Sequence, residues 1–196
     1  LPVVGDNVTF LPNKNGDSLI TSVCERKSVL KRPYAADHSM DYGMEQVMVA
    51  NVDDVFIVSS LNDNYNFNRI ARYVSVTLQG NVTPVVILTK ADLCSNPGRY
   101  VREIETLSDK VCVHCVSALY GIGTEELNKY LQPGKTIAIL GSSGVGKSTL
   151  VNALVQEDVM KTSEIRESDS KGRHTTTHRQ MIVLLNGARI IDTPGM

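Results

Sequence analysis

Residues 141–149 read GSSGVGKST, with the apolar run TIAIL (Thr136 to Leu140) before them and a helical run from Ser148 to Val155 after. This is G-x-x-x-x-G-K-[ST] in a strand–loop–helix setting, an arrangement that cradles phosphate. Its glycines let the backbone wrap closely round oxygen atoms, so that N–H groups and the positive end of the following helix face negative charge. Gly141, Ser142, Ser143, Gly144, Val145, Gly146, Lys147, Ser148 and Thr149 are the expected phosphate-binding residues. Lys147 is expected to reach the β- and γ-phosphates, and the Ser148 hydroxyl to take one position on Mg²⁺. The motif in its setting predicts a nucleoside triphosphate ligand; a Gly-rich turn before an ordinary helix is the weaker reading.

Outward from this loop, strands and helices alternate. Val55 to Ser60, Pro84 to Leu88 and Val111 to Val116 are apolar runs of buried-strand type. Between and after them, Phe67 to Leu78, Tyr100 to Leu107 and Thr124 to Leu131 have helical spacing, the last opened by an N-cap threonine with Glu125 and Glu126 in its first turn. Such alternation predicts a mostly parallel sheet with helices on both faces, binding its ligand at the carboxyl ends of the strands. Ahead of it, residues 1–33 look β-rich: a Gly5-Asp6 turn, V-T-F, a hairpin turn at NKNGD (Asn13 to Asp17), then an alternating stretch from Leu19 to Val23. Two or three short strands are too few for an independent sheet, so the segment reads as the tail of a small barrel. Arg26, Lys27, Lys31 and Arg32 form a basic cluster, either a solvated loop or an RNA-phosphate contact. Residues 34–46 lack any period and read as a linker. The second unit spans 47–196.

The strand-end loops carry further chemistry. Thr89-Lys90-Ala91-Asp92 offers a carboxylate that can accept both N1–H and N2–H₂ of guanine. After the third strand, the backbone of Ser117-Ala118-Leu119 can meet guanine O6. Asp192-Thr193-Pro194-Gly195 follows Ile190-Ile191 and suits a water-mediated Mg²⁺ contact from Asp192 and a γ-phosphate contact from the Gly195 N–H. The polar stretch from Lys161 to Arg179 contains Gly172-Arg173-His174-Thr175-Thr176-Thr177, from which a threonine can join the metal. Each motif is weak alone; four together, each after a strand, are specific.

These are signature elements of translational-type GTPases in an altered order. In Ras-like proteins the phosphate loop comes first; here TKAD and SAL precede it and DTPG comes last, which is a circular permutation. The permuted order, ERKSVLKRP, the A-N-V-D of Ala50 to Asp53 and the GRHTT of Gly172 to Thr176 resemble the RsgA (YjeQ) family, bacterial ribosome-associated GTPases acting late in small-subunit maturation. The resemblance implies an α/β fold: a permuted P-loop GTPase domain with a mostly parallel sheet, preceded by part of an all-β OB-fold barrel. It implies GTP or GDP as ligand, Mg²⁺ held by Ser148, one of Thr175 or Thr176, and indirectly Asp192, and zinc only in a C-terminal domain beyond this sequence. It also implies the small (30S) subunit and its rRNA as partner. Two departures stand out. Thr89 replaces the more usual Asn. Met196 follows Gly195 where Ras-like enzymes carry a water-orienting Gln, which implies slow intrinsic turnover and points to His174 as the helper, although an exposed loop histidine is a competing reading.

Composition is consistent with this. At 196 residues, the chain suits one nucleotide-binding domain with a small appendage. The hydrophobic fraction is 42%, the charged fraction 21% and the net charge −1, ordinary for a globular protein and without global attraction to RNA. No apolar run reaches membrane-spanning length. Four cysteines with no repeating framework point to a reducing cytoplasm, and Cys112-Val113-His114-Cys115 reads as strand rather than as a zinc site. The expectation is a cytoplasmic, monomeric GTPase. Its rivals are a permuted GTPase of the large subunit, an ATPase, and a nucleotide-gated RNA-binding switch with negligible turnover.

Overall fold

The computed structural model describes residues 1–33, 45–155 and 180–193. Strands β1 (Val8–Leu11) and β2 (Leu19–Val23) pair antiparallel across the predicted hairpin turn. Strand β3 (Val29–Pro33) pairs antiparallel with β4 (Glu45–Ala50). Glu45 and Gln46, expected at the end of a linker, are therefore the first residues of a strand; the rest of that expected linker lies outside the described residues.

The chain then runs β5 (Asp54–Ser60), α1 (Phe67–Gln79), β6 (Thr83–Thr89), α2 (Pro97–Glu105), β7 (Cys112–Cys115), β8 (Thr136–Leu140), α3 (Lys147–Val155), β9 (Gln180–Val183) and β10 (Arg189–Asp192). One six-stranded sheet has the order β7-β6-β5-β8-β10-β9, parallel except for the antiparallel edge strand β9. Strands β5, β6 and β8 are buried almost end to end, because helices cover both faces and leave no side of the strand to water. On one face Ile70, Tyr73, Val74 and Ile104 of α1 and α2 pack on Val86 and Leu88; on the other, Leu127, Leu150 and Val151 pack on Phe56 and Ile139. From β5 the sheet grows outward through β6 and β7, and from β8 through β10 and β9. The crevice where such an order reverses is where doubly wound sheets bind ligands.

Local chemistry sets the element ends. The Asn66 side chain accepts from the Arg69 N–H at 2.9 Å and starts α1. Gly80 ends it, and a Cβ there would stand 2.2 Å from the Val29 carbonyl oxygen, so only glycine lets β3 lie against the end of α1. The helix expected from Thr124 to Leu131 is instead a short 3₁₀ turn, Glu125–Lys129. Thr124 does not cap it: its hydroxyl donates to Gly121 O at 3.1 Å, and Leu127, Tyr130 and Leu131 close tight i→i−3 bonds. The Cys112-Val113-His114-Cys115 stretch is β7, with His114 held between Glu126 (2.9 Å) and Tyr130 (3.0 Å). No helix of the described residues is long and apolar enough to cross a membrane.

Candidate nucleotide site

The phosphate loop leaves the end of β8 and enters α3. Gly141 sits against the neighbouring strand, where a Cβ would meet the Val58 carbonyl oxygen at 2.5 Å. Gly144 and Gly146 have φ of 76° and 91°, conformations that arch the loop so that its amides turn inward. Lys147 is folded beneath the arch and donates to Gly141 O at 2.8 Å and Ser142 O at 2.7 Å. Burial pulls its ammonium below the ordinary value, and the charge of Asp192 pushes it back.

Asp192 ends β10, opposite Ile139 of β8. Thr193 is anchored beside it by a hydroxyl bond to Ile139 O at 2.6 Å. One Asp192 carboxylate oxygen, Oδ1, is buried without a hydrogen-bond partner among the described residues. Burial raises the Asp192 pKa and Lys147 partly offsets this. A half-buried carboxylate with one buried, unpartnered oxygen beside a half-buried ammonium, with Ser148 at the first turn of α3, is a donor set that fits a Mg²⁺ ion with its water shell. Burial thus raises the carboxyl and lowers the amine, each partly offset by the other's charge.

The loops carrying TKAD and SAL converge on the same end of the sheet. Thr89, 3% exposed, donates its hydroxyl to Val145 O of the phosphate loop and lies 3.3 Å from Ser59 O. Lys90 takes a left-handed backbone, φ 56°, and its ammonium reaches Gly144 O at 3.2 Å. That conformation is costly for a non-glycine residue and is held here by contacts on both sides. Asp92 is exposed in the 3₁₀ turn Ala91–Leu93. The Ala91 N–H donates to Val116 O at 3.1 Å, which ties this turn to the loop after β7. There the Ser117 N–H is already bonded to Ile122 O at 2.9 Å, so Ala118 and Leu119, whose amides bond no other described backbone group, are the donors left for a base oxygen. The Ser117 hydroxyl is buried without a partner. The structure thus brings Thr89, Lys90, Asp92, Ser117 and Ala118 together with residues 141–149 and Asp192. His174, Thr175, Thr176 and Gly195 lie outside the described residues.

These motifs sit on the strand ends of a Ras-like site in permuted order, and comparison with known proteins agrees. Residues 23–196 match the RsgA GTPase family. The chain belongs to that family. Within the RsgA GTPase family it is similar to the small ribosomal subunit biogenesis GTPase RsgA of Methanosarcina acetivorans, 44% identical over 196 residues, covering 100% of this chain and 52% of that protein. It is likewise similar to the small ribosomal subunit biogenesis GTPase RsgA 1 of Listeria innocua, 46% identical over 196 residues, covering 100% of this chain and 54% of the relative. The chain spans about half the length of these curated relatives. Its structure is similar to the crystal structure of YjeQ from Thermotoga maritima, with a TM-score of 0.69 at 30% identity, covering 100% of this chain and 61% of that one. YloQ, a circularly permuted GTPase, shares the fold with a TM-score of 0.59 at 19% identity, covering 100% of this chain and 57% of its own.

Two features of the site escape the motif reading. Asn64, in the loop between β5 and α1, donates from Nδ2 to Ser143 O at 3.3 Å, and the same loop is braced by Ser60 Oγ donating to Asn62 Oδ1 at 2.7 Å. The asparagine-rich SLNDNYN at a strand's carboxyl end was the available signal. Conversely, the basic cluster of residues 26–32 is largely engaged within the fold. Arg26 is clasped by Asp6 through two 2.8 Å bonds, Lys31 pairs with Glu45 at 2.8 Å, and Arg32 donates twice to Gln46 at 3.0 and 2.9 Å. Of the four, only the Lys27 side chain has no such bond among the described residues.

Proposed function

We propose that this chain is the nucleotide-binding part of a GTPase that hydrolyses GTP and acts in late maturation of the small ribosomal subunit, in the cytoplasm and as a monomer. The observation that carries the proposal is the joining of a guanine-reading turn to a phosphate loop through Thr89–Val145 and Lys90–Gly144. The names of the relatives supply the ribosomal partner.

In this reading Asp92 accepts the N1–H and N2–H₂ of guanine, and the Ala118 region donates to O6, which adenine cannot match. The loop amides and Lys147 stabilise charge on the transferring phosphoryl group. Ser148 and Asp192 would hold Mg²⁺, the latter through water, with Thr175 or Thr176 completing the set by family resemblance. Bound there, the ion would neutralise charge on the β- and γ-oxygens. Met196 follows Gly195 and cannot orient water, so turnover is slow until the partner brings His174 into play. Residues 1–33 would belong to an OB-type barrel, a reading supported by the exposed apolar side chains of Phe10, Leu11, Leu19 and Ile20 on the β1–β2 hairpin. Residues 34–44 would connect it to the GTPase domain, which then begins at Glu45, with β3 leaning on α1.

The test is GTP hydrolysis by the full-length protein, alone and with purified 30S or 50S subunits. Stimulation by 30S alone supports the proposal, with His174→Ala then expected to abolish it. GTP binding without turnover under any condition would favour the nucleotide-gated switch. Stimulation by 50S alone would move the protein to the other subunit.

A further inference from the structure

Three of the four residues of the N-terminal basic cluster are engaged within the fold, and another group of cations, unpaired among the described residues, lies on α1 and α2. Helices α1 and α2 cover the face of the sheet opposite α3 and touch each other. Each carries an arginine pair at i, i+3: Arg69 and Arg72 on α1, Arg99 and Arg102 on α2. Arg72, Arg99 and Arg102 are exposed and Arg69 is partly so. None of the four joins an ion pair among the described residues.

The surroundings of these arginines are also uneven in charge. Helix α1 contains no acid, and Asn68 and Ser75 add hydrogen-bonding groups to its exposed face. On α2, Glu103 accepts the Tyr65 hydroxyl at 2.8 Å, and Tyr65 packs edge-on against Tyr100 with centroids 4.6 Å apart, so the loop that leads into α1 is tied to α2. Glu105 on α2, and Asp63 and Asp109 in the flanking loops, are further exposed acids. No large hydrophobic residue of α1 or α2 is exposed. A protein partner would normally find an apolar anchor at the centre of its interface, and this face offers none. A phosphate backbone needs only cations and donors in fixed positions, for which arginine's planar fork is suited.

We propose that the outer face of α1 and α2, through Arg69, Arg72, Arg99 and Arg102, binds the phosphate backbone of a structured RNA. The contact is independent of the nucleotide site and is not read from base sequence, since backbone contacts position without specifying.

The probe is a fluorescein-labelled 20-base-pair RNA duplex of arbitrary sequence, titrated with nucleotide-free full-length protein over a range of KCl. The variants are Arg69→Gln/Arg72→Gln, Arg99→Gln/Arg102→Gln and all four together. Each pair removed is expected to flatten the slope of log K against log[KCl] by about 2, at ~0.9 per phosphate contact, with the quadruple variant losing about 4. Thermal melting and GTP affinity should stay at the parent values, which separates this outcome from misfolding or damage to the nucleotide site. Parent affinity and slope in the quadruple variant would overturn the proposal. So would unchanged RNA binding with lost binding to a polyglutamate peptide, which would assign the face to an acidic protein.

Discussion

Thr89→Val tests how the turn after β6 is joined to the phosphate loop. Valine keeps nearly the same outline and removes the hydroxyl. Thr89 is 3% exposed and Val145 1%, so the Val145 carbonyl that accepts from Thr89 gains no water in exchange. Leaving a buried acceptor unmet costs about 1–3 kcal/mol. The Ser59 carbonyl, 3.3 Å away, competes for the same proton and adds no second full bond. The loss can appear in two places. If the loop holds its arch in the variant, it appears as lower stability of the nucleotide-free protein. If the loop relaxes, it appears as weaker nucleotide binding, by up to ~150-fold for 3 kcal/mol. Urea denaturation of the nucleotide-free protein and titration with a fluorescent GDP analogue measure the two parts, and their sum is expected to be about 1–3 kcal/mol, provided the m-value holds. Thr89→Ser, which keeps the hydroxyl, should retain most of it. If both quantities in Thr89→Val stay within ~0.5 kcal/mol of the parent, the bond does not brace the loop and the reasoning is refuted.

Asp92→Asn replaces an acceptor by a donor toward the base edge and should shift preference from GTP toward xanthosine triphosphate; unchanged GTP affinity in competition binding would count against its role. Asp192→Asn tests the cost of a buried charge. A carboxyl raised by burial stabilises the fold below its ordinary value of 3.8, and that contribution is lost as pH rises through the raised folded value. The uncharged variant should therefore melt higher than the parent at pH 7, by a margin that shrinks as the pH is lowered through that value, while its Mg²⁺-dependent GTP binding weakens. Lys147 keeps the Gly141 and Ser142 carbonyls, so it is not stranded. A margin independent of pH would show that the charge is not the cause. Gly141→Ala places a Cβ 2.5 Å from Val58 O on a central strand that cannot yield, which should destabilise by about 1–3 kcal/mol and abolish GTP binding in a filter assay; near-parent binding would mean the loop has room to move.

Strands β5, β6 and β8 of the central sheet were legible because they are buried on both faces and written as unbroken apolar runs, as in Val55 to Ser60, whereas the edge strand β9, Gln180–Val183, was not read. The phosphate loop was legible because glycine, lysine and serine at fixed spacing have few alternative uses. Where the reading fell short, tertiary contacts decided. Residues 124–131 have helical spacing, yet Thr124 bonds to Gly121 and the turn tightens to 3₁₀. Glu45 and Gln46 carry no apolar signal, and they are strand because β3 pairs with them. The cluster Arg26, Lys31, Arg32 looked free in sequence because its partners Asp6, Glu45 and Gln46 are remote or belong to a pairing that the sequence did not suggest. Asn64 was missed for a related reason: its bond is to a backbone carbonyl, and no side-chain motif records it.

The permutation gives these bonds to carbonyls a particular weight. In this chain Thr89 and Lys90 precede the phosphate loop by more than 50 positions, so no short connection holds one against the other. Thr89 reaches Val145 across 56 positions, Lys90 reaches Gly144 across 54, and Asn64 reaches Ser143 across 79. All three end on consecutive loop carbonyls, Ser143, Gly144 and Val145. Donors that occupy the carbonyls hold the peptide planes with their N–H groups facing the other way, where an anion could be met. The residue at position 89 therefore needs a hydroxyl or amide of the right reach more than it needs to be Asn. Thr89 fits because β5 and β6 are in register at Ser60 and Thr89 and bring the side chain directly beneath the loop.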